Sequence, residues 1–173
     1  MNEADLTTLL WDRSEIQTLL VRYARALDSK DWELYRRCLT DEVRIDFKPL
    51  TGIGEVRASF DSVYKWARMF FAPIKTQHVY TNFDITVEGD AAEAVVYLTA
   101  HVWRHNALGL ATSQEFGYYN FSLRRDAGSW RINAIKINFF WVDGSGSIAE
   151  MHDPEFLAAM GEVFAAENHV LPS

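Results

Sequence analysis

Apolar residues recur at steps of three and four near the start of the chain: Ile16, Leu19, Leu20, Tyr23 and Leu27 fall on one helical face. That spacing predicts a first helix over residues 12–28. Asp31 is placed to cap a short second helix over "WELYRRCL". "EVRIDF" alternates as a strand and "TGIGE" breaks the chain. "EVRASFDSVYKWARMFF" then returns to helical spacing through Val56, Phe60, Val63, Tyr64, Ala67 and Phe70, and Pro73 stops it. From Lys75 onward the period changes to two. "KTQHVYTNFDITVEG", "AAEAVVYLTAHVWRH", "LATSQEFGYYNFSLRR" and "SWRINAIKINFFWV" read as successive antiparallel strands, with hairpin turns at "EGD" and "DAGS". After "DGSGS", Asp153 and Pro154 open a final amphipathic helix carrying Phe156, Leu157, Met160 and Phe164.

Helices followed by a long, curved antiparallel sheet predict an α+β protein, one domain over residues 1–173, with helices packed on one face of the sheet. Such a sheet curls into a cone with a pocket between helix and concave face. Asp28, at the end of the first helix, falls near the mouth of that pocket. Its position is unusual, because a helix C-terminus carries partial negative charge and opposes a carboxylate. Another group is expected to hold it there.

His78 is the partner that the strand pattern suggests. Alternation in "TQHVYTN" places Thr76, His78, Tyr80 and Asn82 on one face, with Gln77, Val79, Thr81 and Phe83 on the other. A polar row of this kind either faces water or lines a polar pocket. An imidazole beside a carboxylate can act as a base at neutral pH, because the carboxylate fixes its tautomer and stabilises the imidazolium. His101, Trp103 and His105 share a face of the next strand, and Tyr118, Asn120 and Ser122 one of the strand after. If those faces are concave, they supply hydrogen-bond donors for a developing oxyanion. If they are convex, they form an oligomer surface. The spacing of His78, His101 and His105 matches no zinc motif. Asn138 and Phe140, within "NFFW", can contribute to an apolar pocket for a ring-shaped ligand.

Composition narrows the partners. At 173 residues and 49% apolar, the chain can bury one sizeable core. A net charge of −7 works against nucleic acid and anionic membranes, which both demand a basic patch. The lone Cys38 allows no internal disulfide and fits a reducing compartment. An acidic N-terminus without a signal-peptide pattern, and no long apolar run, make the cytoplasm the expected location. No Gly-rich phosphate loop or G-x-S-x-G elbow is present.

The stretch "EIQTLLVRYARALDSKDWELYRRCLTDEVRIDF", the strand "TQH…N" and the late "WRI" resemble the SnoaL-like branch of the NTF2-like superfamily. The resemblance spans nearly the whole chain and implies a cone-shaped α+β barrel. This branch includes dehydratases and a dehydrochlorinase that work without cofactor or metal. It implies that Asp28 and His78 are a catalytic pair, with histidine removing a proton from carbon and aspartate orienting it. Tyr23 matches a site tyrosine of the bile-acid dehydratases. Phe47 stands where dehydratases carry a carbonyl-polarising tyrosine, and Asn138 where the dehydrochlorinase has arginine. The expected function is a lyase acting on a small hydrophobic, cyclic substrate. The alternatives are an isomerase or cyclase, a small-molecule binding protein, and a structural subunit of the kind found in ring dioxygenases. The substrate-facing set is Tyr23, Phe47, His101, Trp103, Tyr118, Asn120, Asn138 and Phe140. The resembling dehydratases imply a homo-oligomer, a trimer or a dimer.

Overall fold

The computed structural model of the chain describes residues 3–106, 109–144 and 154–170. Its first helix, α1 (Glu3–Ser29), begins nine residues before the position that periodicity predicts. The added turns bury little: Leu6, Leu10 and Trp11 are exposed, Leu9 is partly buried, and the fully buried stripe starts at Asp12. Leu6, Leu9 and Leu10 do recur at helical spacing there, but the face they form packs against little of the core. Asp12 itself is buried and paired. Arg125 donates to its Oδ1 at 2.9 Å and the Trp130 indole N–H at 3.0 Å, which ties α1 to the far hairpin. In α2 (Trp32–Cys38) the expected cap is present, with the Asp31 carboxylate accepting from the Leu34 N–H at 2.9 Å.

Next come β1 (Leu39–Asp46), a single turn α3 (Lys48–Thr51), β2 (Val56–Ser59) and α4 (Phe60–Phe71). The sequence pattern assigns Val56–Ser59 to a helix, whereas the structure pairs it antiparallel with Glu42–Ile45 of β1. Val56 and Phe60 stand four apart, so the helical stripe of α4 extends falsely into a four-residue strand. The Ser59 hydroxyl accepts from the Ser62 N–H and starts α4.

The long strands β3 (Lys75–Glu88), β4 (Ala91–Asn106), β5 (Gly109–Asp126) and β6 (Ser129–Gly144) pair antiparallel in sequence order, as expected. β1 then joins β6 in parallel, giving a six-stranded order β2-β1-β6-β5-β4-β3 with open edges at β2 and β3. The sheet is therefore curved but not closed, and one of its pairings is not antiparallel. The core lies on its inner face. There Ala94, Val96 and Leu98 of β4, and Tyr119, Phe121 and Leu123 of β5, meet Ile16, Leu20 and Leu27 of α1. A final helix, α5 (Pro154–Val163), buries Phe156 and packs with α4. The proposed opening residue Asp153 lies outside the described residues.

Bulges bend the sheet. In β5 the register shifts between Phe116 and Gly117, and a Cβ at Gly117 would overlap the Asn138 carbonyl oxygen of β6. Only glycine fits that approach. Gly117→Ala is expected to destabilise the fold by roughly 3 kcal/mol or more, as overpacking against backbone does. Thermal unfolding followed by circular dichroism checks this, and an unchanged midpoint would contradict it.

Candidate active site

Asp28 sits in the last turn of α1, and the chain geometry just beyond explains how it is presented. Lys30 takes a left-handed conformation (φ 58°), the Asp31 N–H bonds the Ala26 carbonyl at 3.0 Å, and the Lys30 N–H bonds that of Leu27 at 3.3 Å. This reverse turn ends the helix and sends the chain away, leaving the Asp28 side chain facing the edge strand β3. Lys30 Nζ donates to the Ile74 carbonyl at 2.8 Å, fastening the helix end to the start of β3.

Three donors then hold the carboxylate. The Thr76 hydroxyl bonds Oδ1 at 2.8 Å, the His78 backbone N–H bonds Oδ2 at 2.9 Å, and His78 Nδ1 lies 2.6 Å from Oδ1. Burial pulls the Asp28 carboxyl upward. The hydrogen bonds and charge of His78, with the Thr76 hydroxyl, outweigh it and leave the group below the usual carboxylate range. These contacts answer the unfavourable helix dipole. The His78 side chain is only 7% exposed and that of Asp28 23%. With Nδ1 engaged, Nε2 is the ring nitrogen free to meet a ligand.

The expected polar row of β3 is broken once. Thr76, His78 and Tyr80 face inward, but Asn82 does not continue it. Asn82 adopts φ 51° within a bulge between Thr81 and Asp84, and Phe83 turns into the core in its place. Beside His78 the interior is aromatic. Phe71 and Tyr80 lie 6.3 and 6.4 Å from its ring, and Tyr80 meets Tyr119 and Phe121. Tyr23 stacks on Tyr35 at 5.7 Å and meets Phe121 edge-on. Burial, reinforced by neighbouring ionisable groups, drives the Tyr23 and Tyr80 hydroxyls well above their ordinary range, so both stay protonated donors. Burial also pushes the Cys38 thiol up to about 11, which leaves no thiolate for nucleophilic work. Tyr80 Oη and Trp66 Nε1 are buried without a hydrogen-bond partner among the described residues. Orphaned buried donors of this kind call for an explanation, and a ligand acceptor is one.

One titratable group of this interior is absent from the sequence-based set. Glu115 on β5 is partly buried, burial raises its carboxyl pKa, and the charge of His78 works in the opposite direction. Its row partners identify its place only once the register is known: His78 faces Ala100 across β3–β4, and Ala100 faces Glu115 across β4–β5.

The remaining candidates separate by face. Tyr23 lies in the interior, and Phe47 is buried against Trp66 with ring centroids 5.8 Å apart. Tyr118, Asn120, Asn138 and Phe140 lie on the convex face, opposite the Asp28–His78 pair. There Asn138 donates to Asn120 at 2.9 Å, and Tyr118, Tyr97 and Phe140 form a ring cluster. These four, expected to line the pocket, contact one another on the face opposite the pair. In β4 the buried positions are Ala94, Val96, Leu98, Ala100 and Val102, which turns His101 and Trp103 outward as a stacked pair at 5.8 Å. Trp103 still reaches the rim. It lines an open pocket of about 640 Å³ with Asp28, Lys30, Pro73 and Thr76, through which the carboxylate is reached from solvent. A second depression, lined by Glu42, Arg57 and His169, lies far from this pair. Alternation also parts His78 from His101 and His105. Among the described residues, no three His, Cys, Asp or Glu side chains gather as a metal site.

Helices on the inner face of an open, bulged sheet, with an Asp–His pair between helix end and edge strand, define a cone-shaped α+β protein. Residues 8–136 match the SnoaL-like domain, and the chain belongs to that family. It is 27% identical over 151 residues to terrestric acid biosynthesis cluster protein E of Penicillium crustosum, covering 83% of this chain and 92% of that one. The crystal structure of Kfla4162 from Kribbella flavida is also 27% identical, with a TM-score of 0.74 over 78% of this chain and 95% of that one. A hexachlorocyclohexane dehydrochlorinase, 18% identical, shares the fold at a TM-score of 0.68 over 84% and 95% of the two chains.

Proposed function

We propose that the chain is a cofactor-independent lyase that removes a proton and a β-substituent from a small hydrophobic, cyclic compound. The observation that carries this reading is the 2.6 Å contact of His78 Nδ1 with Asp28 Oδ1 inside an aromatic interior. With Nδ1–H donated to the carboxylate, the lone pair sits on Nε2, the nitrogen placed to take a proton from carbon. Asp28 stabilises the imidazolium that results. Phe47 cannot polarise a substrate carbonyl, and Tyr118 and Asn138 are on the wrong face. Tyr80 Oη, buried and without a partner among the described residues, is a donor that can hold the developing oxyanion. The elimination chemistry named for the dehydrochlorinase and the biosynthetic setting named for the Penicillium protein agree with such a role.

The whole domain, residues 1–173, is proposed to work in the cytoplasm. No helix among the described residues is long and apolar enough to cross a membrane. The exposed Tyr97, Phe140 and Trp141 of the convex face are proposed to be covered by another copy in a trimer or dimer. An isomerase would share the first proton transfer and differ only in returning the proton to another carbon.

The test is a panel of β-hydroxy cyclic ketones and hydroxylated steroid ketones in D₂O, followed by NMR. Exchange of the α-proton together with formation of the enone is expected for at least one compound. Exchange with migration of a double bond would favour the isomerase. Binding with neither exchange nor elimination would make the protein a carrier.

A further inference from the structure

We propose that Glu115 is the general acid of the site, protonating the departing oxygen opposite His78. This deepens the elimination reading above and rests on it. His78, Ala100 and Glu115 occupy one lateral row on the inner face of three adjacent strands. Two strand spacings separate the first from the last, about 10 Å between Cα positions. The middle residue contributes only a methyl group, so an imidazole and a carboxyl reach over it from opposite sides. A substrate that turns its acidic C–H to His78 presents the β-substituent toward Glu115. Among the described residues the Glu115 carboxyl has no hydrogen-bond partner, so no structural contact explains a half-buried acid there. Its burial favours the protonated form that an acid catalyst needs.

The step balances without a further reagent. His78 Nε2 takes the proton from carbon, the C–H electron pair becomes the C=C bond, and the C–O bond breaks. The Glu115 proton passes to the leaving oxygen and water is released. Imidazolium and carboxylate remain, and a proton passing from one to the other through water resets the site. A hydroxyl leaves poorly without that proton, whereas acetate leaves without help.

The experiment compares 3-hydroxycyclohexanone with 3-acetoxycyclohexanone on wild type, Glu115→Gln and Glu115→Asp. Glu115→Gln is expected to lower kcat/KM for the hydroxy compound by ~10²–10³-fold, the usual worth of general acid catalysis. The acetoxy compound should change by less than about 5-fold, on the same scale. Glu115→Asp should recover part of the loss, and α-proton exchange in D₂O should persist in both variants. Equal losses on both compounds, or none on either, would overturn the assignment while leaving the His78 step intact. A solvent isotope effect on wild type, larger for the hydroxy than for the acetoxy compound, tests the same point if Glu115→Gln folds poorly; equal effects count against it. Wild type showing no α-proton exchange would bring down the elimination reading, and Glu115's role with it.

Discussion

His78→Ala is expected to abolish α-proton exchange and elimination, with a rate loss of ~10²–10⁴-fold, while leaving the affinity for neutral ketones within a few-fold. The substitution removes the imidazole whose Nδ1 faces Asp28 and whose Nε2 is left to accept a proton. It also removes one of three donors to Asp28, while the Thr76 hydroxyl and the backbone N–H at position 78 remain. The carboxylate therefore stays hydrogen-bonded, and the fold should survive. His78→Gln provides the sharper comparison, because its amide can still donate to Asp28 yet cannot accept a proton from carbon. Binding is read from fluorescence of the interior aromatics and chemistry from exchange in D₂O. If either variant exchanges within 10-fold of wild type, His78 is not the base and the pair is structural.

The two halves of the Asp28–His78 pair were legible for different reasons. Asp28 drew notice because it opposes the dipole of its own helix, and His78 because the alternation of β3 runs cleanly through Tyr80. Beyond Tyr80 the bulge at Asn82 inverts the pattern, and a single asparagine in mid-strand does not by itself mark a bulge in the sequence. The face of β4–β6 could not be chosen from the sequence for a specific reason. The convex face carries the residues that look like chemistry, His101, Trp103, Tyr118, Asn120, Asn138 and Phe140. The inner face of β4 is mostly alanine, valine and leucine. Alternation alone leaves the face of these strands open, and burial against the helices selects the bland one. Glu115 stayed hidden because its significance is lateral. Its neighbours on the same strand face, Ser113 and Gly117, do not suggest a site, and only the register of three strands brings it into the row of His78. The parallel β1–β6 pairing and the short β2 are likewise tertiary facts, set by which edges meet rather than by local period.

Asp28→Asn is expected to lower the rate by ~10³–10⁴-fold with ligand binding largely intact, on the scale seen when the orienting carboxylate of a histidine base becomes an amide. The reason lies in how the three donors divide between the two oxygens. Oδ1 receives the Thr76 hydroxyl and faces His78 Nδ1, and Oδ2 receives the His78 backbone N–H. An amide has one acceptor end. If its oxygen takes the Oδ1 place, its NH₂ opposes the His78 backbone N–H, donor against donor. If the oxygen turns to the backbone N–H, the NH₂ faces Nδ1, which must then become the acceptor. The second arrangement is the less costly, since the Thr76 hydroxyl can rotate to suit it. It moves the imidazole proton to Nε2, the nitrogen that should be taking one. The variant would therefore fold, bind and hold a histidine of the wrong tautomer, with no carboxylate to stabilise the imidazolium. Nitrogen-15 NMR of the His78 ring identifies the tautomer directly. Wild type should carry the proton on Nδ1 and Asp28→Asn on Nε2, with the loss of exchange rate following that switch. An Asp28→Asn protein that keeps the Nδ1–H tautomer and still loses its rate would shift the role of Asp28 from orientation to charge alone. One that keeps both tautomer and rate would remove Asp28 from the mechanism.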